Sequence, residues 1–134
     1  MRISRQADYA IRVVLDLYLH PEARIKEIAR RQSLSPSYVG RISQRLAQTG
    51  ILDNRRGRLG CLALACSPDD ISILDVIEAV DGPMRIDRCL LAPAECNREA
   101  YCPVYKVGQE VLLMGVAKLN STTFASLLND EAAK

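Results

Sequence analysis

A mostly helical chain with one small β-hairpin is the fold class this sequence predicts, on three observations. Apolar residues recur at helical spacing over several segments; two short apolar runs flank a basic, glycine-containing turn; and serine, proline and glycine punctuate the places where helices must start and stop. At 134 residues the chain suits one compact domain with an appendage and is too short for two ordinary domains.

The first segment sets Ala7, Ala10, Ile11, Val14, Leu15 and Tyr18 at the i, i+3, i+4, i+7 spacing of an amphipathic helix, with Ser4 as its N-cap. His20-Pro21 ends it, because proline disfavours helical backbone at the residue before it. Ile25, Ile28 and Ala29 predict a short second helix, broken by the stretch RQSLS. A third starts with Ser35 as N-cap and Pro36 at the first helical position, where a missing N–H costs nothing. It runs to about Gln48, with Val39, Ile42 and Leu46 as the inner stripe and Gly50 as the stop.

Two short helices joined by a tight turn have the layout of a helix-turn-helix. The exposed positions of the second, Ser35, Ser37, Tyr38, Arg41, Gln44 and Arg45, carry residue types that reach phosphates and base edges. Next, ILDNR and CLALA flank RGRLG, a hairpin whose turn is supplied by Gly57 and Gly60. A basic hairpin directly behind a recognition helix is a wing. Arg55, Arg56 and Arg58 line it, and arginine there suits the narrow, electronegative minor groove of A/T-rich DNA. Solvated arginines on helices are common, so the helices alone leave an ordinary soluble domain as the competing reading. Charge separates the two: residues 1–66 hold 12 Lys+Arg against 5 Asp+Glu, whereas residues 67–134 hold 6 against 11, beneath a net charge of +2. A basic half joined to an acidic half points to a polyanionic partner for the first, here double-stranded DNA.

Beyond the hairpin, Ser72 and Asp75 match an S-x-x-D capping pattern, with Ile73, Val76, Ile77 and Val80 as the apolar face of a fourth helix closed by Asp81-Gly82-Pro83. From Val104 to about Asn120 no proline intervenes, and Val104, Val107, Val111 and Met114 alternate spacings of three and four. That is a heptad-like seam on about 27 Å of helix, more than a small domain needs for itself. Gly108 and Gly115 share one face and permit close backbone approach. The seam predicts a dimerisation helix, with an intramolecular packing helix as the alternative. The tail TTFASLLND is expected to cap and fold back, and EAAK to fray.

A hydrophobic fraction of 49% with 25% charged residues belongs to a soluble folded protein, and no apolar run approaches the roughly 18 residues of a membrane span. Arg5, Asp8, Arg12 and Asp16 interrupt the first segment, which therefore lacks a signal-peptide core. The expectation is a cytoplasmic protein without a membrane partner. In that compartment a disulfide framework is disfavoured, and five cysteines is an odd number in any case.

Three of them, Cys89, Cys96 and Cys102, fall in a polar, proline-broken segment with C-x6-C-x5-C spacing. Soft thiolates select zinc, copper(I) or an iron–sulfur cluster. Zinc sites favour C-x2-C pairs with a fourth ligand nearby, and the sole histidine, His20, is far away in sequence. Wide, even spacing suits a larger object, and clusters tolerate a non-cysteine ligand at one iron. Cys61 and Cys66 read instead as small buried hydrophobes. Without a glycine-rich phosphate loop or a histidine–carboxylate pair, an enzyme is not expected. A cluster-binding electron carrier and a metal-free regulator with a thiol or disulfide switch stay open as alternatives.

Taken together, RISRQADYAIR, SLSPSYVGRISQRLAQTGIL, RRGRLG, ISILDVIEAVDGP and the three-cysteine loop before a long helix resemble the IscR/NsrR family of bacterial transcription regulators, over essentially the whole chain. The resemblance implies a homodimeric winged helix-turn-helix repressor. It implies an iron–sulfur cluster held by Cys89, Cys96 and Cys102, with DNA affinity set by cluster state, and it places Ser37, Tyr38 and Arg41 on the recognition helix and Arg56 and Arg58 in the wing. Nitric oxide, redox change or iron supply would be the signal. Departures are specific: Gly60-Cys61-Leu62 stands where many members have Gly-Gly-Tyr, Tyr105 stands where IscR-like members have a histidine, and the first cysteine gap is one residue longer. Asp8, shared with NsrR-like members, implies a fourth ligand from the partner subunit and favours a 4Fe-4S over a 2Fe-2S cluster. For that ligand, Tyr105, an external thiol or water are alternatives, and Asp8 with Arg12 also reads as an ordinary i, i+4 ion pair. The organisation expected is residues 1–83 as the DNA-binding winged helix, 84–102 as the cluster loop, and 103–134 as dimerisation helix and tail.

Overall fold

The structure, a computed structural model, describes residues 3–55, 60–84 and 102–132. Its elements run α1 (Arg5–Leu19), β1 (Ala23–Arg24), α2 (Ile25–Gln32), α3 (Pro36–Gln48), β2 (Leu52–Arg55), β3 (Cys61–Leu64), α4 (Ile73–Asp81), α5 (Pro103–Ser121) and α6 (Phe124–Ala132). This is a mostly α fold with a small antiparallel sheet, the winged helix-turn-helix expected, and a long C-terminal helix.

The expected caps form. Ser4 Oγ accepts from Ala7 N at 3.1 Å, Ser35 Oγ accepts from Tyr38 N at 3.3 Å, and Ser72 and Asp75 close a reciprocal box through bonds of 3.0 and 2.9 Å. Each satisfies amides that a helix start leaves unpaired. Ser33 ends α2 in the left-handed region at φ 55°, and its N–H reaches back to the carbonyls of Ala29 and Arg30. That single residue makes the tight turn into α3.

Two expectations shift. The hairpin is one side of a three-stranded sheet ordered β1-β3-β2, with Leu52 opposite Leu64, Arg55 opposite Cys61 and Ala23 opposite Leu62. β1 is two residues long and leaves no alternation to read. In α1 the buried apolar residues are Ala7, Ala10, Val13, Val14 and Leu17, while Ile11, Leu15 and Tyr18 are only half-buried. α1 is the central helix, packed by α4, α3 and α2, so its inner face is centred between several neighbours rather than on one. α4 likewise buries Leu74 with Val76, Ile77 and Val80 and leaves Ile73 half-buried.

Asp16, read only as a charge that interrupts the first segment, is 2% exposed. Arg31 of α2 grips it from Nε and Nη2 at 2.6 to 3.2 Å, and Gln32 Nε2 adds a bond of 3.0 Å. Burial pushes this carboxyl up, but the Arg31 and Gln32 hydrogen bonds and the Arg31 charge outweigh it, so the group sits below its ordinary 3.8. The pair locks the first helix of the helix-turn-helix onto α1.

The tail folds back as expected. Phe124, the only phenylalanine, is fully buried, and its N–H bonds Ile71 O at 3.0 Å while Ile73 N–H bonds Thr122 O at 3.0 Å, which clips the α5–α6 junction to the start of α4. Of the EAAK segment expected to fray, Glu131 and Ala132 continue α6, and Ala133 and Lys134 lie outside the described residues. α5 is the exception to the packing: it has no buried residue, and Val104 (74% exposed), Val107 (58%), Val111 (48%), Leu113 (66%) and Met114 (72%) stand in the open. Among the described residues no helix is long and apolar enough to cross a membrane.

Candidate nucleic-acid interface and metal-ligating residues

α3 is held by its inner residues Val39, Ile42, Ser43 and Leu46 and offers Ser35, Ser37, Arg41, Gln44 and Arg45 to solvent. The Ser35 hydroxyl is the cap, whereas Ser37 is exposed in the first turn, where backbone amides and the helix dipole favour a phosphate. The two arginines differ. Arg41 is exposed with its guanidinium 5.0 Å from the centre of the Tyr38 ring, held over its face and still able to reach outward. Arg45 is tied inward: Nη1 donates to Val80 O at 2.8 Å and to Gln6 Oε1 at 3.3 Å, bridging α3 to α4 and α1. Arg55 ends β2, and Arg56 and Arg58 lie outside the described residues.

Tyr38 does more than face outward. Its ring meets Tyr9 edge to face at 5.3 Å, Arg12 lies 5.7 Å from the Tyr9 ring centre, and Arg12 Nη2 is 3.2 Å from Asp8 Oδ2. A continuous series of contacts thus joins Asp8 on α1 to Arg41 on α3. Tyr9 and Gln6 were not among the residues the sequence singles out. Tyr9 lies one turn from Arg12, a spacing that allows the stack, but its partner Tyr38 is distant in sequence and leaves no local trace.

Of the four metal-ligating candidates, Cys89 and Cys96 lie outside the described residues. Cys102 is the N-cap of α5, half-buried, and its thiol makes no capping hydrogen bond. Asp8 is half-exposed and bound to Arg12 in a surface pair, an interaction of about 0–1 kcal/mol that is given up at little cost. Tyr105, one turn into α5, accepts from Gln109 Nε2 at 3.2 Å. No group of three or more His, Cys, Asp or Glu side chains converges among the described residues. The other two thiols depart from expectation: Cys66 is exposed, with Sγ donating to Gly50 O at 3.4 Å, and Cys61 is half-buried. The burial expected of them is taken by Leu62 and Ala63, because Cys61 opens β3 and Cys66 lies beyond its end.

A family model for Rrf2, iron-dependent transcriptional regulator, matches residues 3–130. The chain is similar to the HTH-type transcriptional regulator NsrR of Bacillus subtilis (strain 168), 29% identical over 135 residues that cover 98% of this chain and 92% of that protein. T. potens IscR has a similar structure, with TM-score 0.78 at 26% identity over 98% of this chain and 88% of that one. So does CymR, the global cysteine regulator of B. subtilis, with TM-score 0.71 at 26% identity over 95% of each chain.

Proposed function

The chain belongs to the Rrf2 family of transcriptional regulators, and from that membership we propose that it is a cytoplasmic homodimeric repressor whose affinity for a DNA operator follows the state of a bound iron–sulfur cluster. Arg41, Ser37 and Tyr38 read the major groove with Ser35 as cap, Arg55, Arg56 and Arg58 reach the minor groove, and Arg45 fixes the angle of the recognition helix. The observation that carries the reading is the bare apolar row of α5, which begins at Val104, two residues after Cys102. A ligand cysteine at the base of a helix that needs a second copy ties the metal-binding loop to the dimer, and a dimer presents two recognition helices to two half-sites.

Cys89, Cys96 and Cys102 supply three thiolates, and the partner subunit's Asp8 supplies a carboxylate. The donor set fits: the Cys102 thiol is not spent on its helix, and Asp8 is held only by a surface pair. A 4Fe-4S cluster is favoured over 2Fe-2S, since an aspartate on α1 is present and Tyr105 replaces a histidine. When bound, such a cluster offers one iron with a carboxylate ligand, harder and weaker than thiolate, as the position open to a small-molecule signal. Released from that role, Asp8 is free to pair with Arg12, whose contacts run through Tyr9 and Tyr38 to Arg41, so the helix that reads DNA feels which partner Asp8 has.

Anaerobic purification followed by a visible spectrum and a DNA shift assay tests the reading. The protein should be brown, and Cys89→Ala, Cys96→Ala or Cys102→Ala should each be colourless, while Cys61→Ala and Cys66→Ala keep the colour. Asp8→Ala should retain a cluster with an altered spectrum and a changed DNA response, and Tyr105→Phe should change little. The exposed Cys66 thiol supports a second reading, a metal-free thiol switch. That reading requires a colourless parent whose DNA affinity changes with oxidant and loses the change in Cys66→Ala.

A further inference from the structure

A cleft of about 80 Å³ lies between the first turn of α1 and one flank of α3, lined by Gln6, Tyr38, Arg41, Ile42 and Arg45. That is well below the about 300–1,000 Å³ of small-molecule pockets and suits a group of a few atoms. Its four α3 residues follow the i, i+3, i+4, i+7 spacing of one helix face. The face lies between the inner stripe of Val39 and Leu46 and the outward row of Ser37 and Gln44, so the cleft stands beside the positions that meet base edges.

Its two guanidinium groups are placed by contacts between lining residues. Arg45 spends only Nη1, on Val80 O at 2.8 Å and Gln6 Oε1 at 3.3 Å, so that Nε and Nη2 remain, while Arg41 stacks 5.0 Å from the Tyr38 ring centre. The two arginines are four residues apart on one helix and repel. Among the described residues neither has a carboxylate within ion-pair distance. Asp81, next to Val80 in the chain, accepts instead from Ser4 Oγ at 2.6 Å. An anion from outside would relieve the repulsion and use the donors that are left. Double-stranded DNA brings one to this place, because a helix lying in the major groove turns its flanks toward walls made of phosphates.

We propose that this cleft seats one phosphate of the operator backbone, held by Arg45 and the Gln6 amide with Arg41 adding charge at the rim, a contact that rests on the reading of the chain as a DNA-binding regulator and gives α1 a part in it. A phosphate contact carries no sequence information and fixes where α3 sits along the groove.

Gln6→Glu is the decisive variant. Its carboxylate still accepts from Arg45 and stands in the first turn of a helix, where negative charge is favoured, so the melting temperature should be equal or higher. It also sets a negative charge where the phosphate sits. On an operator duplex that the full-length protein selects from random DNA, the variant should bind at least about tenfold more weakly than the parent, and the slope of log affinity against log salt should shrink by about 1. A neutral methylphosphonate at one backbone position of the half-site, found by scanning, should narrow the gap between variant and parent to about twofold or less. A parent that selects no DNA overturns the regulator reading and the phosphate seat with it. A parent that binds DNA no better than Gln6→Glu, or a gap that no single methylphosphonate closes, overturns the seat alone. Inorganic phosphate titrated without DNA and followed by NMR should shift the Gln6 side-chain amide only at millimolar concentration; saturation at micromolar concentration would make a free phosphorylated molecule the occupant and overturn the backbone assignment.

Discussion

α1 and α5 are both amphipathic helices of 15 and 19 residues, yet α1 buries six side chains and α5 buries none. The same apolar periodicity marks both. In α1 the face is covered by α2, α3 and α4 of the same chain; in α5 the row Val104, Val107, Val111 and Met114 faces outward although α5 touches α4. Periodicity therefore marks an apolar face, and only the count of elements available in the chain tells whether that face is covered from within. At about 1.5–3 kcal/mol for each large apolar side chain taken fully out of water, the α5 row is a strong drive to association.

Five variants break or sharpen that contrast. Asp16→Ala should lower unfolding free energy by about 3–5 kcal/mol, since it strands the partly buried Arg31 guanidinium, and urea melts will measure it. The same pair sets a pH dependence. The Asp16 carboxyl is depressed in the fold, so its stabilisation is complete above its ordinary 3.8 and lost as pH falls through the lower folded value. Acid melts of Asp16→Asn should lack that component. On α5 the effect should move from folding to assembly. Val107→Glu combined with Val111→Glu should weaken the dimer by about 3 kcal/mol or more, read by sedimentation equilibrium, and change helix content little. Smaller still, Arg41→Ala should cost about 1–3 kcal/mol of operator affinity with the dimer intact, in a binding titration at fixed salt. Smallest, Ser72→Ala should cost about 1 kcal/mol of stability through the lost α4 cap.

Helix starts were legible because capping is local: Ser4, Ser35 and Ser72 act on amides three residues away. The wing strands were legible as apolar runs around a turn. What stayed hidden depends on residues far apart in the chain. Asp16 and Arg31 are ordinary charges until α2 folds onto α1, Arg45 is one more exposed arginine until the Val80 carbonyl meets it, and Tyr9 gains meaning only from Tyr38. Cys66 was misjudged because a cysteine beside a strand carries no signal of which way the chain leaves it. Of the candidate site, α3 and its exposed face could be read from spacing, but the contacts that link Asp8 to Arg41 could not.

The central claim is that a cluster held at the base of α5 sets DNA affinity at α3. Operator affinity measured on one anaerobic preparation, before and after chelation of the iron, tests it most directly, with Cys102→Ala beside it and protein concentration held where the dimer persists. The account predicts a change of about 5- to 150-fold between the two states, the range of ordinary allosteric coupling, and one unvarying affinity for the variant. A colourless parent protein, or a brown one whose operator affinity is the same with and without iron, would contradict it.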